Sequence, residues 1–231
     1  MDNDPVKFAP LMNHVAVWVA ALLVGLSAIY GPDGSAFAQQ APGGSDLDAS
    51  VSRFLSDTRG SWADWNVPYQ DGKILHDLVV KGNFRRILEI GTSTGHSTIW
   101  LAWAAAKTGG KVTTIEIDGA RHRKALENFK KAGVAAYIDA RLGDAHDLVR
   151  SLKGPFDFVF CDADKEWYLQ YFRDLEPKMA PGGCFTAHNV LWRGDAGIGK
   201  FLEYVQGNPK FRTRIEQGAG EGISVSCRIS Q

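Results

Sequence analysis

Residues 86–97 have the sequence RILEIGTSTGHS, an apolar run followed by a turn rich in small residues. Gly91 and Gly95 carry no Cβ atom, so the backbone there can turn sharply and approach a ligand closely. The segment therefore predicts a strand, a cofactor-binding turn and the start of a helix. A dinucleotide-binding fingerprint would need a third glycine where Ser93 stands, and this difference disfavours a nicotinamide cofactor.

The rest of the chain repeats this alternation of short apolar runs and longer amphipathic ones. Such a pattern predicts a doubly wound α/β domain with a largely parallel sheet and helices on both faces. The predicted strands are 85–90, 111–117, 136–142, 156–162 and 184–188, followed by a closing antiparallel hairpin at 211–216 and 223–229. The predicted helices are 47–59, 70–81, 98–107, 120–132, 145–152 and 166–179, the last ended by Pro181-Gly182-Gly183.

Composition favours one globular domain with a small-molecule partner. The 231 residues include 26 Lys and Arg against 26 Asp and Glu, so there is no net positive charge to attract nucleic acid. The three cysteines, Cys161, Cys184 and Cys227, have none of the paired spacing of zinc or redox motifs. We expect all three to be small core residues that give no sign of an oxidising compartment.

The first residues resemble a targeting segment. The uncharged, mostly apolar run 15–30 is too short to cross a bilayer easily as a helix, and Ala36-Phe37-Ala38 follows as a small-residue cleavage site. We expect residues 1–38 to be a signal peptide or membrane-targeting segment, 39–46 a linker and 47–231 the folded domain. The protein would then be exported or bound to the cell envelope, touching a membrane only through an uncleaved segment.

Two carboxylates at the ends of predicted strands suit a nucleoside-containing cofactor. Glu89 suits a cofactor with a positively charged aminoacyl end, and Glu116 can accept hydrogen bonds from both ribose hydroxyls, unless it is simply a solvated carboxylate. Asp144 and Ala145 could face an adenine edge, although Gly-Asp-Ala equally suits a helix N-cap. The predicted cofactor contacts are Glu89, Gly91, Thr92, Ser97, Glu116, Ile117, Asp144, Ala145 and Asp162.

Polar motifs follow the fourth and fifth predicted strands. Asp162-Ala163-Asp164-Lys165 comes after one, and His188-Asn189 comes after the next. Because the carboxyl ends of parallel strands share one edge of the sheet, which is where open α/β sheets bind ligands, we expect these motifs to converge.

At these residues the sequence resembles the caffeoyl-CoA O-methyltransferase-like family, relatives of catechol O-methyltransferase. The similarity runs from about residue 70 to 229 and includes Glu89-Ile90-Gly91, Ile115-Glu116-Ile117-Asp118, Asp162-Ala163-Asp164-Lys165, Tyr168, Asn189 and Leu191-Trp192. The resemblance implies a seven-stranded sheet whose last strand is antiparallel, S-adenosylmethionine (SAM) as methyl donor, a small vicinal diphenol as acceptor, and a homodimer. Because SAM is a cytoplasmic metabolite, a cytoplasmic location is the alternative to export.

The resemblance also implies catalytic and metal-binding residues. The family's three ligands fall on Asp162, His188 and Asn189, but His188 replaces an aspartate. Imidazole suits Zn²⁺, Fe²⁺, Co²⁺ or Mn²⁺ better than Mg²⁺. Two alternatives stay open: the bound metal differs, or His188 acts as a general base without a metal. Lys165 matches the family's residue for deprotonating the acceptor, whereas without the resemblance it would be an exposed lysine at the start of a helix.

The acceptor is less defined than the cofactor. The segment 195–199 is short where plant enzymes carry a substrate loop, so a CoA-thioester acceptor is not favoured. Trp62, Trp65, Tyr69, Trp167 and Trp192 could line an aromatic pocket or belong to the core. A non-catalytic SAM-binding domain at the cell envelope is the competing functional class, because an exported protein would meet little SAM.

Overall fold

The computed structural model describes residues 29–30, 36–37, 44–192 and 194–230. The chain divides into two units, 1–41 and 42–231. In the first unit, β1 (Ile29–Tyr30) and β2 (Ala36–Phe37) pair antiparallel. The rest of the predicted targeting segment, 1–38, and most of the predicted linker, 39–46, lie outside the described residues. No helix among the described residues has the length and apolar character to span a membrane.

The second unit is built on a seven-stranded sheet. Its strands are β3 (Arg86–Ile90), β4 (Lys111–Glu116), β5 (Ile138–Leu142), β6 (Phe156–Cys161), β7 (Met179–His188), β8 (Phe211–Glu216) and β9 (Ile223–Arg228). Their spatial order is β5-β4-β3-β6-β7-β9-β8. The five strands β5, β4, β3, β6 and β7 pair in parallel with their neighbours in that order, whereas β9 runs antiparallel to both β7 and β8. The predicted fold class and the reversed last strand are confirmed.

Helices cover both faces of this sheet. They are α1 (Gly44–Asp57), α2 (Tyr69–Gly82), α3 (His96–Thr108), α4 (Gly119–Ala132), α5 (Ala145–Ser151), α6 (Tyr168–Leu175) and α7 (Ala196–Gly207). One buried apolar cluster joins α1, α2, α3 and α4 to one face of the sheet, and a second joins α5, α6 and α7 to the other. Helix α1 begins at Gly44, inside the segment predicted as a linker, because Leu47 already packs into the first cluster.

The predicted helix 166–179 is wrong at both ends. Residues Lys165–Trp167 and Glu176–Lys178 form 3-10 turns around the shorter α6. Strand β7 already begins at Met179, which pairs with Phe156. The Pro-Gly-Gly sequence therefore lies inside β7, where the register with β6 shifts, instead of ending a helix.

The predicted loop 195–199 is also wrong. The side chain of Asp195 caps α7 by accepting hydrogen bonds from the backbone N–H groups of Gly197 and Ile198, at 2.8 and 3.1 Å. Such a cap satisfies backbone donors that have no partner within the helix, so the helix begins directly at Ala196.

Two of the three cysteines form a disulfide, which corrects the expectation that all three are simple core residues. Cys184 of β7 and Cys227 of β9 lie directly opposite each other and are bonded. Cys161 is buried and free. The bonded pair is separated by 43 residues, so its proximity depends on the order of strands in the sheet and not on local spacing.

Candidate functional site

A cavity of about 680 Å³ opens at the carboxyl edge of the sheet, beside the junction of β3 and β6. The chain proceeds from β3 outward to β4 and β5, and then returns to β6 on the other side. This reversal leaves a crevice above the two central strands, which is where open α/β sheets bind ligands. The volume matches that of pockets for small-molecule cofactors.

The Gly-rich turn forms the floor of this cavity. Gly91 has a φ of 95°, and the backbone N–H groups of Gly91 and Thr92 both bond to the carbonyl of Ile115, at 3.1 and 3.2 Å. Gly95, with a φ of 98°, precedes the first turn of α3. Both glycines occupy conformations that side chains disfavour, which accounts for their positions in the predicted motif.

Glu116 ties the end of β4 to this turn. Its Oε2 atom accepts the backbone N–H of Ser93 at 2.7 Å, and its Oε1 accepts that of Asp118 at 2.9 Å. The side chain is nearly buried yet lines the cavity. Each carboxylate oxygen has a second lone pair, so the group can still accept hydrogen bonds from a vicinal diol.

Glu89 occupies a different position from the one predicted. It lies beneath the turn, does not line the cavity, and accepts hydrogen bonds from the hydroxyl groups of Thr98 and Thr114. Its Oε1 atom is buried and has no hydrogen-bond partner among the residues that the structure describes. Burial raises the pKa of Glu89 to about 7, although nearby hydroxyl groups oppose that shift. Glu89 therefore lies behind the turn and not in the wall of the cavity.

The other predicted cofactor residues meet at the cavity wall. Asp144 caps α5 by accepting the backbone N–H of His146 at 2.8 Å, and Ala145 is the first residue of that helix. Thus the helix-cap and ligand-facing interpretations of this segment are compatible. The predicted residues that line the cavity are Gly91, Thr92, Ser97, Glu116, Ile117, Asp144, Ala145 and Asp162.

The predicted catalytic residues lie at the other end of the same cavity, where Lys165, Asp162 and His188 are in contact. Lys165 Nζ is 2.7 Å from Asp162 Oδ1, and His188 Nδ1 is 3.3 Å from Asp162 Oδ2. Lys165 Nζ also donates to the Tyr168 hydroxyl at 2.7 Å, and that hydroxyl donates to the backbone carbonyl of His188. Strands β6 and β7 are neighbours, which brings the two motifs together.

Asp71, a fully buried carboxylate on α2, also belongs to this group and is not among the predicted site residues. Its Oδ2 atom is 2.8 Å from His188 Nε2, and its Oδ1 accepts the backbone N–H of Ala219 at 2.6 Å. A signal was present, because Asp71 falls on the same helical stripe as the buried Leu75 and Val79. An acidic residue on an apolar stripe needs a buried partner. The partner, His188, lies 117 positions away along the chain, so the local pattern could not identify it.

The histidine and aspartate shift each other's protonation. Burial lowers the pKa of His188, but hydrogen bonds to Asp162 and Asp71 raise it more, to about 9. Burial raises the pKa of Asp162, but His188 and Lys165 outweigh it and hold that pKa below its usual value. At neutral pH the pair is therefore an imidazolium and a carboxylate. A protonated His188 has no lone pair with which to act as a general base, so that alternative is not favoured.

The donor set at Asp162, His188 and Asn189 does not fit a divalent metal. Both ring nitrogens of His188 face carboxylate oxygens, and Asp162 already contacts the Lys165 ammonium group. Asn189 directs its amide N–H toward the carboxylate of Glu221. No group of three or more His, Cys, Asp or Glu side chains within the described residues is arranged to hold a metal ion.

Aromatic residues divide between the cavity and the core. Trp65 and Trp192 are exposed at the cavity rim. By contrast, Trp62 stacks on the buried His96, Tyr69 packs against Trp100, and Trp167 stacks on His146. Two of the five predicted aromatic residues are thus placed to meet an acceptor.

Comparisons with known proteins agree with this architecture. The sequence model of the O-methyltransferase family matches residues 49–200. The chain is 37% identical over 171 residues to a catechol O-methyltransferase of Niastella koreensis, covering 72% of this chain and 75% of that protein. It is 34% identical over 191 residues to caffeoyl-CoA O-methyltransferase 1 of Eucalyptus globulus, covering 72% and 77%. The O-methyltransferase TomG from Streptomyces achromogenes, solved in complex with SAM, superposes with a TM-score of 0.68 at 30% identity, covering 78% and 90%.

Proposed function

The chain belongs to the O-methyltransferase family, and on that basis we propose that it transfers a methyl group from SAM to one hydroxyl of a small, catechol-like aromatic acceptor. The residues around the cavity suit SAM: five carboxylates line it, and three of them, Glu116, Asp144 and Asp162, are among the predicted cofactor contacts and complement a cofactor that carries positive charge and a ribose. The comparisons give no support to a non-catalytic SAM-binding domain.

The observation that supports this reaction best is the contact of Lys165 with Asp162 in the cavity wall. A phenolic hydroxyl has a pKa near 10, so at neutral pH the acceptor must lose a proton to become a good nucleophile. A cation beside the acceptor oxygen stabilises the phenolate. Lys165 lies where it can fill that role, while Asp162 and the Tyr168 hydroxyl fix its ammonium group.

When bound, SAM supplies an electrophilic methyl group on a positively charged sulfur. The acceptor oxygen forms a bond to the methyl carbon while the methyl–sulfur bond breaks and its electron pair stays on sulfur. In the proposed step the hydroxyl proton is released to water, and the Lys165 ammonium group stays beside the phenolate oxygen during attack.

The residues at the cavity rim favour a small aromatic acceptor. Trp65 and Trp192 offer aromatic surfaces on which a planar ring can pack. Helix α7 begins immediately after Asp195, which leaves no long loop there to enclose a CoA group. We therefore favour a free catechol over a CoA thioester, although relatives of both names are similar to this chain.

The decisive experiment combines cofactor binding with turnover. The purified protein should bind SAM by calorimetry and methylate catechol, and caffeoyl-CoA should react more slowly. Lys165→Ala should lower turnover by about 10²-fold or more with little change in SAM affinity. Lys124→Ala, at an exposed position on α4, is the matched control. Wild-type turnover in Lys165→Ala would remove Lys165 from the reaction.

We also propose that the chain is exported and that residues 1–38 are removed. The disulfide between Cys184 and Cys227 supports this proposal, because such bonds persist mainly in oxidising compartments. Mass spectrometry of protein recovered from the envelope or medium should give an N-terminus at Gln39. Protein that stays in the cytoplasm with residue 1 intact would contradict the proposal. The homodimer stays a prediction, which light scattering can check.

A further inference from the structure

We propose that His188, held between Asp71 and Asp162, takes the place of the divalent cation at this edge of the sheet, so that the chain needs no metal for methyl transfer. The proposal rests on the proposed function for its catalytic meaning. Whether the site holds an imidazolium or a metal ion can be tested independently of that function.

The first step is the hydrogen bonding of His188, which is almost fully buried. Its Nε2 lies 2.8 Å from Asp71 Oδ2, and its Nδ1 lies 3.3 Å from Asp162 Oδ2. A neutral imidazole has one N–H and one lone pair, so one of these contacts would set a lone pair against a carboxylate oxygen. With both carboxylates ionised, only the doubly protonated ring can present an N–H to each of them.

The second step is the anchoring of Asp71. Its other oxygen accepts the backbone N–H of Ala219 in the turn between β8 and β9. Gly218 packs so tightly there that a Cβ atom would lie 2.1 Å from Asp71 Oδ1. Asp71 is therefore fixed from both sides and does not line the cavity. It is a positioning residue that acts on the acceptor site through His188.

The charges of the four residues in contact balance. Asp71 and Asp162 contribute two negative charges, and the His188 imidazolium and the Lys165 ammonium contribute two positive charges. Of the other carboxylates that line the cavity, Glu221 at the exposed rim contacts Asn189, and Asp164 contacts His146. With both aspartates ionised, the four residues in contact are thus neutral without a metal. A divalent cation would have to displace His188 from Asp162 against the repulsion of two fixed cations.

The consequence concerns the acceptor. In this arrangement the phenolate forms beside Lys165 and next to the His188 imidazolium, and both side chains line the cavity. The contact of Nδ1 with Asp162, at 3.3 Å, is the longer of the two, so Nδ1 is the ring nitrogen for which an acceptor oxygen can compete. A fixed cation at this place supplies the electrostatic stabilisation that a metal would otherwise provide.

Metal binding to the purified full-length protein tests the proposal directly. Calorimetric titration with Mg²⁺ and with Mn²⁺ should show no binding to the wild type, and elemental analysis should find no stoichiometric metal. Chelator should leave methyl transfer within twofold of its rate. Stoichiometric metal, or loss of activity with chelator, would overturn the proposal and mean that Asp71 orients His188 toward a metal instead.

A double variant tests whether the site can be made to bind a metal ion. Asp71→Asn combined with His188→Asp replaces the imidazolium with a carboxylate and removes the buried acid behind it. This variant should gain Mn²⁺ binding by calorimetry and become sensitive to chelator. A folded double variant, judged by SAM binding, that still binds no Mn²⁺ would count against the proposal. If the double variant does not fold, the wild-type metal titration still decides.

The single variant Asp71→Asn tests the positioning role. Turnover should fall about tenfold while SAM affinity stays within twofold, because the cofactor end of the cavity does not touch Asp71. Asp77→Asn, which removes an exposed carboxylate from the same helix, should change neither. If Asp71→Asn turns over at the wild-type rate, the positioning role is refuted. Absence of methyl transfer in the wild type would refute the proposed function, yet the metal titration would remain interpretable.

Discussion

A Cβ atom on Gly91 would lie 2.5 Å from the backbone carbonyl oxygen of Asp162. This approach joins the Gly-rich turn after β3 to the catalytic motif after β6, and the N–H of Asp162 bonds to the carbonyl of Ile90 at 2.9 Å. The two ends of the cavity, which we propose hold the cofactor and the acceptor, are therefore fixed to each other through backbone contacts.

Gly91→Ala should destabilise the protein by about 2 kcal/mol or more, because alanine meets both the Asp162 backbone and a positive φ. Urea unfolding measures the change. Gly199→Ala is the control: its Cβ would have open space within α7, and alanine should stabilise the helix slightly. Equal stabilities for the two variants would contradict the close packing.

Glu116→Ala should weaken SAM binding at least tenfold. Two charge-assisted hydrogen bonds to ribose hydroxyls, each worth roughly 1.5 to 3 kcal/mol, would be lost, as would the anchor on Ser93. Calorimetry is the measurement, and Glu127→Ala on the exposed face of α4 is the control. Unchanged affinity in Glu116→Ala would exclude Glu116 from the cofactor site.

Reduction of the Cys184–Cys227 disulfide should destabilise the protein by about 4 kcal/mol, the loop-closure value for bonded residues separated by 43 positions. Thermal unfolding with and without reductant measures the effect. The double variant Cys184→Ala, Cys227→Ala should be insensitive to reductant, whereas Cys161→Ala should keep the wild-type response. A wild-type protein that ignores reductant at full reduction would contradict this expectation.

We expect His96 to make the free energy of unfolding depend on pH. Its Nδ1 bonds to the carbonyl of Val67, and its Nε2 accepts the indole N–H of Trp100. Burial lowers the pKa of His96 to about 4, so between pH 6.5 and 4 the unfolded chain binds a proton that the folded chain does not. The stability from this group is complete above pH 6.5 and falls as the pH drops, by about 2 kcal/mol at pH 5.

The variant His96→Gln isolates this effect. Glu89 shifts in the opposite sense, because its raised pKa makes the fold more stable as the pH falls from 7, so the wild-type profile alone is not diagnostic. Denaturant titrations at pH 7 and pH 5 should show the wild type losing about 2 kcal/mol relative to His96→Gln. An equal change in the free energy of unfolding between pH 7 and pH 5 in the two proteins would refute the prediction.

Local patterns were sufficient for most of the sheet. The apolar runs that predicted β3, β4 and β6 lie within one residue of the observed strands, because a buried parallel strand must be nearly continuous in apolar residues. Strand β7 was predicted five residues too short. Pro181-Gly182-Gly183 is a strong local stop signal, but pairing with β6 overrides it.

The candidate site was predictable where its residues sit at strand ends and not elsewhere. Lys165, Asp162 and His188 follow from the rule that parallel strands end at one edge. Asp71 and the Cys184–Cys227 bond depend on which helix and which strand become neighbours, and no local pattern contains that information. Glu89 is a predicted cofactor contact that does not line the cavity, because a strand-end position does not say whether a side chain points into the cavity or beneath it.

The bond between Asp71 and Ala219 joins two segments from opposite ends of the domain in sequence. During synthesis the turn, β4 and the start of α5, which provide the cofactor wall, are all made by residue 145, whereas the His188 group lacks one of its anchors until Ala219 has been made. A chain shortened before that residue would keep most of the SAM-contacting surface but not the arrangement that activates an acceptor. On the proposed assignment of the site, the order of residues along the chain delays completion of the His188 group until the domain is almost complete, so a partly made chain is expected to be unable to methylate an acceptor.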